Sequence, residues 1–154
     1  MAAEITIVPA TLAHALDLAP RVRAADRAEL MDGWGHTPAF ALTEGVLGSD
    51  RVWSGFADRD LVCIFGVAPV PRSAGTGVPW LIGSDLILRH QWAFLRRNRA
   101  RLAEMQALYP VLRNWVDTRN HVALRWLAWL GFTIDPAAPM GPRGLLFHHF
   151  HRGD

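Results

Sequence analysis

Val116-Asp117-Thr118-Arg119-Asn120-His121-Val122-Ala123-Leu124-Arg125-Trp126-Leu127-Ala128-Trp129-Leu130-Gly131-Phe132 carries three structural signals in a fixed order. The β-branched, apolar stretch Val111 to Val116 leads into it and predicts a strand. Asn120 has the short polar side chain that accepts backbone N–H bonds at a helix start, and Ala123, Trp126, Leu127 and Leu130 then share one helical face. Gly131 stops that helix in the left-handed conformation that glycine adopts without strain, with Phe132 folding back on the last turn. The stretch therefore reads as strand, short helix and strand.

Working outward, Trp92, Leu95, Leu102 and Met105 recur at helical spacing and predict a long amphipathic helix from His90 to Leu108, ended by Pro110. Before it, Trp80 to Asp85 reads as a strand ending in polar groups, after a Gly- and Pro-rich loop from Pro71 to Pro79. Arg51 to Phe56 and Leu61 to Val67, joined by Ala57-Asp58-Arg59-Asp60, predict a hairpin. Ile5 to Val8 is a first strand, followed by a helical region from Leu12 to Leu30 broken at Pro20 and a second helix starting at Thr37-Pro38. Phe132 to Ile134 and Leu145 to His151 complete the strands. The order is β-α-α-β-β-β-α-β-α-β-β: an α+β fold with a mixed sheet of about seven strands and about four helices.

The 154 residues suit one domain over 1–154, and 51% hydrophobic with 19% charged residues excludes a disordered or coiled-coil chain. All sixteen basic residues are Arg, which removes Schiff-base and phosphate-loop Lys chemistry. The lone Cys63 cannot form an internal disulfide, and neither a secretory signal nor a bilayer-length apolar run is visible, so a cytoplasmic protein without membrane contact is expected.

This order, together with the Asn120 to Gly131 segment, resembles the GCN5-related N-acetyltransferases. The resemblance implies that the strands at Trp80 to Asp85 and Val111 to Asp117 splay apart around the arm of an acyl-CoA. Two departures accompany it. The glycine-rich turn that holds a diphosphate is replaced by Leu86-Ile87-Leu88-Arg89-His90-Gln91-Trp92, and the position of the family's acid Tyr is Leu127. The only Tyr, Tyr109, reads as a packing residue at a helix end. Within the same fold, Pro79 to Phe150 looks like the small scaffold-like virion-assembly protein of short-tailed phages, carried by Trp80 to Asp85, Leu112 to Val116, Asn120 and Gly144-Leu145-Leu146-Phe147.

Asp85 is the candidate general base, and Trp80, Ser84, Asn114, Asp117 and Asn120 are candidate groove residues. The competing reading gives Ser84 or Asp85 to a helix cap, Asn114 and Asp117 to strand-end backbone, and Asn120 to its own cap. Arg89, His90 and Arg96 are candidate phosphate contacts, set against a solvated helix face. His149 and His151 share a strand face, but no further ligand stands at a recognisable spacing, so no metal is expected. Trp129 falls off its helix stripe and suggests a surface patch with Phe132 or Trp34.

The expected function is support of virion assembly through contacts with virion or other phage proteins, or with itself, without catalysis, cofactor or nucleic acid. The alternative is an N-acetyltransferase that uses acetyl-CoA to acylate an amine of a small molecule or protein.

Overall fold

The computed structural model describes residues 2–153. Eight strands form one sheet: β1 (Ile5–Pro9), β2 (Arg51–Ala57), β3 (Asp60–Pro69), β4 (Thr76–Gly83), β5 (Val111–Asp117), β6 (Thr133–Ile134), β7 (Ala138–Met140) and β8 (Leu145–Arg152). Their spatial order is β1-β2-β3-β4-β5-β8-β6, with β7 also on β8. Every pairing is antiparallel except β4 with β5, which is parallel. A parallel pair needs a crossover, and α4 (Leu86–Leu108) supplies it.

The helices cover both faces. On one face α1 (Leu12–Leu18) and α3 (Pro38–Gly48) bury Ala15, Leu18 and Leu42 against Leu61, Ile64 and Ile82. On the other, α4 and α5 (His121–Trp129) close a larger core holding Phe94, Leu95, Leu102, Met105, Val116, Trp126 and Phe150. Phe94 is 1% exposed. α2 (Ala24–Trp34) approaches β5 and β8, with Gly33 and Trp34 against Phe147. Gly131, at φ 88°, ends the α5 segment in the left-handed region, as its position after Leu130 predicts.

The expected architecture is present, with five α-helices and eight strands among the described residues where about four and about seven are expected. Pro20 sits in a three-residue 3-10 turn, Ala19–Arg21, that divides the first helical region into α1 and α2. α4 begins at Leu86, not near His90: Ile87 N donates to Ser84 O (3.1 Å) and Leu88 N to Asp85 O (3.2 Å), so the chain turns tightly off β4 straight into helix. The two-rung parallel contact, Thr76 with Val111 and Gly77 with Leu112, ends where the strands begin to part. Among the described residues no helix is long and apolar enough to cross a membrane.

Candidate functional site

β4 and β5 separate beyond Gly77 and Leu112, and a cavity of about 420 Å³ occupies the opening. α4 and α5 line it from one face through Leu95, Asn98, Leu102, Trp126 and Leu127. Asp26, Glu29, Trp34, His36 and Glu44 line it from the face of α2 and α3. The cavity therefore meets both sides of the sheet, with a mainly apolar wall and a carboxyl-bearing end.

The alternation of the strands decides which peptide groups face this opening. Ser84 N donates to Val62 O (2.9 Å) and Val70 N to Thr76 O (3.3 Å), giving the even-numbered peptides of β4 to β3. The peptides of Gly77, Pro79, Leu81 and Gly83 consequently turn toward β5. On β5, Thr118 N donates to Leu146 O (3.3 Å), so Arg113, Trp115 and Asp117 turn toward β4.

Several of these groups are taken by the protein's own side chains. Asn114 Nδ2 donates to Pro79 O (2.9 Å), and Asn114 Oδ1 accepts from Trp115 N (2.8 Å). Glu29 Oε1 accepts from Asp117 N (2.8 Å). Gly83 N donates to Asp26 Oδ2 (3.0 Å), while Gly83 O accepts from Arg23 N (2.8 Å). The Leu81 peptide is left facing the cavity.

α2 delivers the acids. Asp26, Glu29 and Asp32 stand three residues apart and share its inner face; Asp26 and Asp32 are buried. Asp26 Oδ1 accepts from Arg23 Nη1 (2.9 Å) and Asn120 Nδ2 (3.3 Å), forming a buried network that ties α2 to β4 and the start of α5. Burial raises the Asp26 carboxyl, and the Arg23 charge offsets only part of that rise. Burial, with the nearby charges of Asp26 and Asp117, pushes Glu29 up to about 8. Burial alone would raise Asp117, but hydrogen bonds and charge from Arg119 hold it below the usual carboxylate range.

Trp80, Asn114 and Asn120 line the cavity. Trp80 Nε1 donates to Ser49 Oγ (2.9 Å), and its ring lies so close to Gly45 that a Cβ there would come within 2.6 Å of it. Asn120 is 1% exposed and also caps α5 by accepting from Ala123 N (3.4 Å). Asp117 is engaged by Arg119 instead of lining the cavity.

Asp85 does not reach the opening. It is exposed at the start of α4 and its side chain makes no capping bond. Ser84 is buried, with Oγ donating to Val62 O (3.1 Å) on the β3 side. The cap expected from one of these two residues is thus made by neither, because the tight turn into α4 uses backbone carbonyls. Arg89 and Arg96 are exposed, His90 is half-buried, and none of the three lines the cavity.

One aromatic expectation changes, while Tyr109 does pack at a helix end, its ring against Gly77 of β4. Trp129 packs edge-on against Trp92 (6.1 Å between ring centroids) and under the Arg99 guanidinium (4.0 Å), and not on Trp34, whose ring meets Phe147. Tyr109 caps the end of α4 and its hydroxyl donates to the Asp50 carboxylate. Glu29 was hidden because a sequence reading takes a helix's acids as its wet face; their three-residue spacing is the signal that exposes it.

His149 and His151 are joined by a third residue that spacing does not reveal. Asp135, in the connection after β6, places Oδ2 2.8 Å from His149 Nδ1 and Oδ1 3.2 Å from His151 Nε2.

No protein-family model matches the sequence, and no curated protein resembles it. Solved structures do. An acetyltransferase of the GNAT family from Streptococcus pneumoniae superposes with a TM-score of 0.67 at 14% identity, covering 97% of this chain and 99% of that one. A putative acetyltransferase from Salmonella typhimurium with its cofactor acetyl-CoA gives 0.68 at 16%, covering 97% and 93%. Spermidine N-acetyltransferase from Vibrio cholerae in complex with CoA and spermine gives 0.68 at 12%, covering 97% and 95%. With its one parallel pair splayed between two antiparallel halves, this chain has the fold of the GCN5-related N-acetyltransferases.

Proposed function

We propose that the chain transfers an acyl group from a thioester to an amine, with Glu29 as general base. The observation that carries this reading is a cavity reaching both faces of the sheet and bordered by a carboxyl raised to about 8. A base titrating near neutrality can hold a proton that an attacking amine gives up, then release it to solvent. Glu29 and Glu44, with Trp34 beside them, make the α2 and α3 side suited to a cationic amine with an apolar stem.

The residues present suit the arm of a thioester better than its nucleotide end. Asn98 Oδ1 and Arg101 Nε are buried on α4 without hydrogen-bond partners, and both residues border the cavity. They match an amide-bearing chain passing between α4 and α5. A diphosphate finds no cradle on the first turn of α4, where the Ile87 and Leu88 amides are used and the Ile87 side chain is buried. A bound thioester supplies an activated carbonyl. The protein's part is to align the amine beside Glu29, exclude water with Trp80 and Trp126, and offer the Leu81 peptide to the developing oxyanion. Cys63 is fully buried and its thiol is pushed up by that burial, so it is no competing nucleophile.

The test is thiol release from acetyl-CoA and from acetyl-pantetheine, with polyamines and peptide amines as acceptors. Turnover should follow a rising pH profile with a midpoint near 8, and Glu29→Gln should lower kcat by about 100-fold or more. Absence of thiol release together with unchanged melting at saturating thioester overturns the reading, since ligand at about 100 times its Kd should add about 2.7 kcal/mol.

A second reading is that the cavity takes no thioester and the chain acts through protein contacts without catalysis, virion assembly being one such role. What supports the lack of thioester binding, though not the virion, is that Asn114, Glu29, Asp26 and Arg23 already occupy peptide groups that a bound arm would use. It predicts a larger species on a sizing column with a phage core protein, and no thioester binding.

A further inference from the structure

We infer that Asp135, His149 and His151 form a binding site for one divalent transition-metal ion of the zinc type, apart from the β4/β5 cavity. Residues two apart on a strand project to the same side, so β8 presents both imidazoles together, stacked with 24° between their planes. Asp135 is fixed opposite them by its own backbone, as its N donates to His149 O (2.8 Å). One ligand atom from each of the three residues lies within 4.8 Å of the other two.

The spacing matches the chemistry. Ligands about 2.0–2.1 Å from a tetrahedral ion stand about 3.3 Å apart. The two carboxylate oxygens lie 2.8 Å and 3.2 Å from the imidazole nitrogens, so a small rotation of the Asp135 carboxylate admits an ion between them. Two imidazoles and one carboxylate make a borderline donor set that favours zinc, cobalt or nickel over calcium or magnesium.

The imidazoles are partly buried, at 20% and 32% side-chain exposure, and the carboxylate at 40%, so an ion held there keeps at least one position for water. The site ties the connection between β6 and β7 onto β8. Trp115, which borders the cavity, lies 5.0 Å from the His149 ring and gives the site an optical reporter.

Untagged, metal-stripped protein titrated with Zn²⁺ should bind one equivalent per chain and melt at a higher temperature, with EDTA reversing the shift. Co²⁺ should give the visible absorption of a low-coordinate site, and Cu²⁺ should quench fluorescence in the wild type but much less in Trp115→Phe. Asp135→Asn and His151→Ala should each weaken Zn²⁺ binding about tenfold or more, while His36→Ala, in the link between α2 and α3, should leave it unchanged. Circular dichroism of the metal-free variants separates misfolding from ligand loss. No stoichiometric binding by the wild type, or full affinity in a folded Asp135→Asn/His151→Ala double variant, overturns the inference.

Discussion

Replacing Glu29 by Gln keeps an oxygen able to accept the Asp117 amide while deleting the titration, which isolates the buried charge as the variable. The folded protein holds the Glu29 proton up to about pH 8, whereas the unfolded chain releases it near 4.5. Between those values the folded state binds more protons than the unfolded one, so stability falls as pH rises; below 4.5 the contribution is complete. Each pH unit in that window is worth about 1.4 kcal/mol, and the whole window about 5 kcal/mol. Solvent reaching the half-buried side chain reduces this to about 2–5 kcal/mol. Urea melts of both proteins from pH 5 to 9 provide the assay. The two curves should nearly coincide at pH 5 and diverge upward, with the Gln variant surviving about 1–2 M more urea at pH 9. Tyr109 and Cys63 also respond to alkali, but they do so in both proteins and cancel in the comparison. Parallel curves across the range would refute a proton held on Glu29, and with it the assignment of this group as base.

Asp26→Leu leaves the Arg23 guanidinium, 6% exposed, without its counter-charge and should cost about 3–5 kcal/mol in the same melts. The Arg23→Met/Asp26→Leu double variant should regain much of that loss; a double variant as weak as the single one contradicts the pairing argument. Gly45→Ala drives a Cβ into Trp80 and should cost about 1–3 kcal/mol while altering tryptophan emission. A wild-type melt and spectrum would mean that Trp80 moves aside freely. Asp85→Ala should change stability by less than about 0.5 kcal/mol and leave transfer intact; a tenfold fall in kcat/KM would return the catalytic base to the end of β4.

Local signals in the sequence were easiest to read where one residue type answers one backbone demand. Asn120 and Gly131 bracket α5 because a cap needs an acceptor and a left-handed stop needs a missing Cβ. The β2/β3 hairpin follows from apolar runs around Asp58, which takes the positive φ of the turn. The site was less legible because its parts come from segments far apart in the chain. Glu29 matters through the Asp117 amide, 88 residues away, and Asp85 loses its expected role because the helix begins sooner than its apolar period suggests. Asp135 meets His149 only after β6 and β8 pair, and no short spacing encodes that meeting. β7 escaped notice because three residues, one of them Pro139, make too short a strand to show alternation.

The seam between β4 and β5 is fastened by two rungs at one end and by the Asn114 amide just beyond them. Mechanically the molecule is two ribbons whose rungs meet at one corner, with α4 as the strap between them and α2 bridging the far end through Asp26 and Glu29. A guest lodged in the opening becomes the missing rungs of the ladder and stiffens both ribbons together. Amide exchange should therefore slow on the two banks in concert, so that occupancy is readable from backbone protons before any product is sought.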